Sequence, residues 1–129
     1  MATPYLQVCI QRHPMDCAVA TLAMLTGKSY EDVLVRFSHN VIAEGASIQQ
    51  MQRATKKLGK TLLWSRKSID LETAAGILVV SGKKWKADHL VILKEGLIVD
   101  TDATIWEPDV FMAAYEARPL SLLTLAEED

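Results

Sequence analysis

The chain has 129 residues, half of them hydrophobic, which is enough for one compact core but not for two ordinary domains. Its net charge is -2 at pH 7, and no Lys/Arg-rich run provides the basic footprint of a protein that binds nucleic acid or an anionic membrane. No stretch reaches the roughly 20 apolar residues of a membrane span, and the N-terminus lacks a signal-peptide pattern, so we expect one cytoplasmic domain over residues 1–129.

Helical patterns dominate the first half of the chain. After an apolar stretch over residues 5–10 and a polar turn, a helix is predicted from Cys17, with Asp16 as its N-cap and Gly27 as its stop. A second helix is predicted over residues 30–37. A third is predicted between Ser47, which caps it, and Gly59, which ends it, because apolar residues recur there at helical spacing.

Short apolar runs separated by turn residues follow Gly59 and are typical of strands. They cover residues 61–64, 77–80, 90–93, 97–99 and 120–125. Gly96 predicts a tight hairpin between two of them, and Pro108 predicts the start of a helix that runs to Tyr115. Helices followed by mainly antiparallel strands predict an α+β domain with the helices packed on a sheet.

Cys9 and Cys17 are too few for a disulfide framework, and no Cys/His spacing matches a zinc site, so both thiols are expected to be free. Cys17 lies at the first turn of a predicted helix, where unpaired N–H groups and the helix dipole favour the thiolate, the nucleophilic form. Cys9 lies within an apolar run without such a neighbour and is expected to be a core residue.

His89 begins the strand-like run HLVIL and is the best candidate for a base, since a sheet would hold its ring rigidly. The hairpin at Gly96 returns the chain so that Asp100 is expected close to His89, where a carboxylate can fix the tautomer and orientation of an imidazole. His13 and His39 are expected to be surface residues. Trp85, which is flanked by lysines, is expected at the rim of the site.

Five segments together resemble the C39-type, papain-like cysteine peptidases: Gln11, Asp16-Cys17-Ala18, Gly45-Ala46-Ser47, His89-Leu90-Val91-Ile92 and Val99-Asp100. The resemblance implies a papain-like fold and a cysteine peptidase that needs no metal or organic cofactor. By position, it makes Cys17 the nucleophile and Gln11 the side chain that stabilises the oxyanion. It makes His89 the base and Asp100 the acid that orients this base.

The chain departs from the family pattern at two positions next to these residues. Ala18 stands where the family usually has glycine, and its methyl group is expected to narrow the space beside Cys17. Thr101 stands where the family usually has proline, which frees the backbone after Asp100 and leaves Asp102 as a competing orienting residue.

The resulting hypothesis is a cysteine hydrolase that acts on a peptide or isopeptide bond of a peptide or protein substrate. Acyl transfer would use the same residues and stays open. The alternative from another class is a binding or inhibitory protein, which keeps the papain-like frame and holds a partner protein in its cleft without turnover. The sequence names neither the substrate nor the oligomeric state.

Overall fold

The computed structural model describes residues 8–127. In chain order its elements are α1 (Cys17–Thr26), α2 (Tyr30–Leu34), α3 (Val41–Glu44), α4 (Ile48–Lys57), β1 (Leu62–Ser65), β2 (Gly76–Ser81), β3 (His89–Lys94), β4 (Leu97–Val99), β5 (Ile105–Trp106), α5 (Pro108–Ala114) and β6 (Arg118–Leu125). The six strands form one sheet in the order β1-β6-β2-β3-β4-β5, and every neighbouring pair is antiparallel. The chain is therefore a mixed helical and antiparallel-sheet domain, as predicted.

The helix predictions are confirmed where local capping signals are strong. Gly27 ends α1 in the left-handed conformation, with φ at 74°. Ser47 begins α4 through a complete capping box with Gln50: each side chain accepts a hydrogen bond from the other residue's backbone N–H. The second helix was predicted too long, since α2 ends at Leu34, and α3 was not predicted because its single turn carries too little periodicity.

The predicted hairpin between β3 and β4 is confirmed, and its turn has only two residues. Lys94 pairs with Leu97, so Glu95 and Gly96 alone form the turn, and both have positive φ, at 53° and 74°. This is the backbone geometry of a type I′ turn, whose twist matches that of the flanking strands.

The sheet is covered on both faces, and β3 contributes to both. Leu90 and Ile92 belong to a buried cluster with residues of α1, whereas Val91 and Leu93 belong to a second cluster with Phe111 of α5. This alternation follows from the two-residue period of a strand. Because β3 begins at His89 and contacts α1, the fold places the histidine beside the helix that begins at Cys17.

The apolar stretch before the first helix is irregular where it is described. Residues 5–7 of this stretch lie outside the described residues, and residues 8–10 have no regular secondary structure. Val8 and Ile10 are exposed, while Cys9 is half-buried and packs against the α1 cluster. Burial raises the pKa of the Cys9 thiol, which disfavours its reactive thiolate.

Candidate active site

Cys17 is the first residue of α1, and its side chain is half-buried against the core. The N–H groups of Val19 and Ala20 donate to the Asp16 carbonyl oxygen, which leaves the N–H groups of Cys17 and Ala18 at the open end of the helix. The buried hydroxyl of Thr21 donates to the Cys17 carbonyl oxygen at 2.8 Å and fixes the first turn. The sulfur is thus attached to a rigid helix end whose dipole favours an anion.

Asp16 occupies the predicted N-cap position, but its side chain makes no hydrogen bond to the N–H groups of α1. Its backbone has φ of -101° and ψ of 25°, which is not the extended conformation that aims an N-cap side chain at the helix. The fully buried carboxylate instead accepts hydrogen bonds from the backbone N–H groups of Arg12 and His13, and from the hydroxyl of Tyr30. Asp16 therefore organises the loop before Cys17 and leaves the helix end uncovered.

Replacing Tyr30 with phenylalanine is expected to lower the free energy of unfolding by about 1.5–3 kcal/mol, since a buried carboxylate loses a hydrogen-bond donor. Urea unfolding at pH 7 measures the change. Tyr115→Phe is the matched control, because the ring contacts of Tyr115 do not involve its hydroxyl. Equal losses in both variants would contradict the role given to the Tyr30–Asp16 bond.

His89 and Asp100 are brought together by the β3–β4 hairpin. His89 is 7% exposed and Asp100 is 3% exposed, and Nε2 of the imidazole lies 2.8 Å from Oδ1 of the carboxylate. Asp100 directly follows the last residue of β4, so the two-residue turn at the other end of the hairpin sets its position. A carboxylate at this distance fixes both the rotation and the tautomer of the ring.

Cys17 and His89 line the same cavity, and the Cys17 side chain contributes to the raised pKa of His89. Because Nε2 is occupied by Asp100, Nδ1 is the ring nitrogen left for the sulfur. Burial by itself lowers the pKa of His89, but the hydrogen bonds with Asp100 and Cys17 and their negative charges outweigh it and raise the pKa to about 9. A pKa of about 9 favours the imidazolium form of His89 at neutral pH.

The pKa of Asp100 is shifted in the opposite direction, downward. Burial acts to raise the pKa of Asp100, yet its hydrogen bond and charge interaction with His89, together with a bond from the Thr101 N–H, hold the pKa below its usual range. Asp102, the competing acid, is exposed and accepts a hydrogen bond from the N–H of Thr104 at 3.0 Å. The geometry thus pairs Asp100 with His89 and places Asp102 in a local turn.

Trp85 lies flat against His89, with ring centroids 4.5 Å apart and an angle of 14° between the planes. The indole also contacts the rings of Phe111 and Tyr115. An indole stacked on an imidazolium stabilises the cation and keeps water from one side of the ring. Trp85 is therefore part of the wall of the site, closer to the histidine than the expected rim position.

The two remaining histidines lie outside this group. His13 is exposed in the loop before α1, as expected. His39 is half-buried and was wrongly expected at the surface: its Nε2 lies 2.7 Å from the Gly45 carbonyl oxygen, and its ring packs edge-on against Phe37. Within residues 8–127, no three histidine, cysteine or acidic side chains are grouped as metal ligands would be.

Gln11 lies beside Thr101 and lines one cavity with His89 and Asp100. Its Nε2 donates to the His13 carbonyl oxygen at 2.7 Å, and its Oε1 accepts a hydrogen bond from the Thr101 hydroxyl. One of the two amide protons is therefore used within the loop, and the other is left for a ligand. Sequence spacing alone did not indicate these partners, since Thr101 is 90 positions further along the chain.

Two cavities meet at His89. The larger measures about 940 Å³, and its lining includes Cys17, Ala18, Met51, Val79, Trp85 and His89. The smaller measures about 300 Å³, and its lining includes Gln11, Trp85, His89, Asp100, Thr101 and Asp102. Cys17 and Gln11 therefore line two adjoining cavities, which share Trp85 and His89 in their walls.

Comparison with known proteins gives a structural match. No protein-family model matches the chain, and no curated protein matches its sequence. The crystal structure of the peptidase domain of Streptococcus ComA, a bifunctional ABC transporter of a quorum-sensing pathway, superimposes with a TM-score of 0.65 at 18% identity. The match covers 95% of this chain and 98% of that domain. The two chains share a fold. Within the described residues, no helix has the length and apolar character needed to cross a membrane.

Proposed function

We propose that the protein is a cysteine hydrolase of the C39-like, papain-like type, which cleaves a peptide or isopeptide bond. One observation carries the proposal: the buried imidazole of His89 has Asp100 as hydrogen-bond partner on Nε2 and lines one cavity with Cys17, the first residue of α1. A thiol, an imidazole and a carboxylate in this order form the unit that activates a cysteine nucleophile. The fold shared with a peptidase domain supports the same reaction class.

The proposed chemistry follows from the roles of these residues. The thiolate of Cys17 adds to the substrate carbonyl carbon, and the carbonyl electrons move onto oxygen. The Cys17 backbone N–H at the open helix end and the second amide proton of Gln11 are the candidate donors to this oxyanion. Collapse of the intermediate expels the amine, which takes a proton from His89 Nδ1. Water, deprotonated by the neutral imidazole, then hydrolyses the thioester and regenerates the thiolate.

The positions of the two cavities suggest how a substrate lies across the site. The acyl part becomes bonded to Cys17 and therefore occupies the larger cavity, where His89 also lies and where the leaving amine takes its proton from Nδ1. The smaller cavity adjoins it at His89 and Trp85 and can take a more distant part of the substrate. Met51 and Val79 are buried core residues that also line the larger cavity. This favours a substrate with an apolar side chain on its acyl side, despite the methyl group of Ala18.

Alkylation by iodoacetamide tests the proposal without a known substrate. We expect Cys17 to react faster than Cys9 at pH 8, and to retain most of its rate at pH 6, where an ordinary thiol has lost its thiolate. Mass spectrometry of the two cysteine peptides measures both rates in one sample. Cys9 is the internal control, because burial raises its pKa and no imidazole is assigned to it.

His89→Gln sharpens this experiment. It should abolish the rate that Cys17 retains at pH 6 and leave the rate of Cys9 unchanged, since only Cys17 depends on the imidazolium. Equally slow labelling of both cysteines in the wild-type protein would overturn the hydrolase. It would favour the binding protein that keeps the frame without an activated thiol.

A further inference from the structure

Thr101 follows Asp100 directly and is 2% exposed, although a threonine after a strand is usually free to reach solvent. Every polar group of this residue has a partner within the candidate site. Its N–H and hydroxyl face Asp100 and Gln11, and its carbonyl oxygen accepts the backbone N–H of Gln11 at 2.9 Å. Because all the polar groups of this buried residue bond to two residues of the site, we infer that it has a role there.

The backbone N–H of Thr101 donates to Asp100 Oδ1 at 2.7 Å, the same oxygen that receives His89 at 2.8 Å. A carboxylate oxygen that accepts two such bonds cannot rotate away from either donor. A proline at position 101 has no N–H and would leave this contact empty. Thr101 thus helps to fix the carboxylate oxygen that contacts the imidazole.

The hydroxyl of Thr101 donates to Gln11 Oε1, and the carbonyl oxygen of Thr101 holds the Gln11 backbone. With the amide oxygen fixed, the amide nitrogen must point the other way, and it donates to the His13 carbonyl oxygen. The hydroxyl has one proton, and its 3.4 Å separation from Asp100 Oδ1 is the longer of its two contacts. Thr101 therefore sets which end of the Gln11 amide is available to a ligand.

We propose that Thr101 is a positioning residue, which joins the Gln11 amide and the Asp100 carboxylate in one hydrogen-bonded unit. Thr101 then fixes the position of the oxyanion donor, Gln11, relative to the acid that orients the base, Asp100. Gln11 and Asp100 are far apart in sequence, so a local turn cannot connect them. The role in catalysis rests on the proposed hydrolase, while the hydrogen-bonded unit does not.

Thr101→Val and Thr101→Ser separate the hydroxyl from the other features of the residue. Valine keeps the branched shape and the backbone N–H to Asp100 but removes the donor to Gln11, and serine restores that donor. In ¹⁵N NMR spectra, we expect the Gln11 side-chain amide protons to exchange with water at least about tenfold faster in the valine variant. The serine variant should return to the wild-type rate, and the titration of His89 should be unchanged in both.

Hydrolysis of p-nitrophenyl acetate provides the catalytic readout. Thr101→Val should lower kcat about 10- to 100-fold, with little change in KM, because a misplaced donor weakens only the transition state. Thr101→Val in a Gln11→Ala background should cause no further loss, since the side chain that it positions is already absent. Thr101→Ser should recover most of the rate.

Each result bears on a different part of the proposal. Unchanged amide exchange in Thr101→Val would overturn the hydrogen-bonded unit. Faster exchange with an unchanged kcat would overturn the positioning role, as would additive losses in the double variant. If the wild-type protein does not hydrolyse the ester, the proposed hydrolase and this role in it both fail, and amide exchange then reports on the Thr101–Gln11 bond alone.

Discussion

Replacing Cys17 with alanine is expected to abolish the acylation of the protein by p-nitrophenyl acetate. The wild-type protein should release a burst of about one nitrophenolate per molecule, followed by slower turnover, because the ester acylates the thiolate faster than water releases the acetyl group. Without the sulfur no acyl-enzyme forms, and the residual rate should approach that of the buffer. Stopped-flow absorbance of nitrophenolate measures the burst and the steady rate together.

Cys9→Ala is the matched control, because it removes the chain's other thiol and leaves the His89 pair intact. Its burst should equal that of the wild-type protein, since burial disfavours the thiolate of Cys9. A burst that survives in Cys17→Ala and disappears in Cys9→Ala would contradict our proposal, because it would make Cys9 the nucleophile. Mass spectrometry should locate the acetyl group on the peptide that contains Cys17.

Replacing Asp100 with asparagine is expected to lower the rate of ester hydrolysis by about 10²–10⁴ at neutral pH. An amide has no negative charge to offer the imidazolium, and it can hold the ring in the wrong tautomer. The pKa of His89 should fall from about 9, since its bond and charge interaction with Asp100 are among the contributions that raise it. NMR titration of the imidazole resonances measures the pKa, and the ester assay measures the rate.

The His89–Asp100 pair should make the protein less stable as the pH rises. Since the pKa of His89 in the folded state is raised from 6.5 to about 9, its contribution to stability is complete below pH 6.5. It is lost as the pH rises through about 9. Urea unfolding at pH 6, 8 and 10 should therefore show a loss of stability in the wild-type protein that is smaller in Asp100→Asn.

Asp102→Asn is the control for this prediction and decides between the two candidate acids. Its carboxylate accepts hydrogen bonds from Thr104 in an exposed turn, so its replacement should change neither the rate nor the pKa of His89. A loss of activity in Asp102→Asn comparable to that in Asp100→Asn would contradict the assignment of Asp100 as the orienting acid.

Local signals predicted the secondary structure well because each acts over a few residues. The capping box at Ser47 and the left-handed glycines at Gly27 and Gly96 fix chain direction through backbone sterics and hydrogen bonds to near neighbours. The elements that were missed or misjudged, α3, β5 and the end of α2, are single turns or two-residue pairings. Elements of that length depend on tertiary packing for their stability, and their sequence pattern is correspondingly weak.

The sequence by itself determined that Cys17 begins a helix, that His89 begins a strand and that a tight turn returns the chain toward Asp100. These facts follow from periodicity, caps and turn geometry. Only the tertiary structure decided that Asp16 turns away from the helix, that Gln11 is bound by Thr101 and that Cys17 and Gln11 line different cavities. Hydrogen bonds between side chains distant in sequence depend on which donors the folded chain brings within 3 Å, and no local preference encodes that choice.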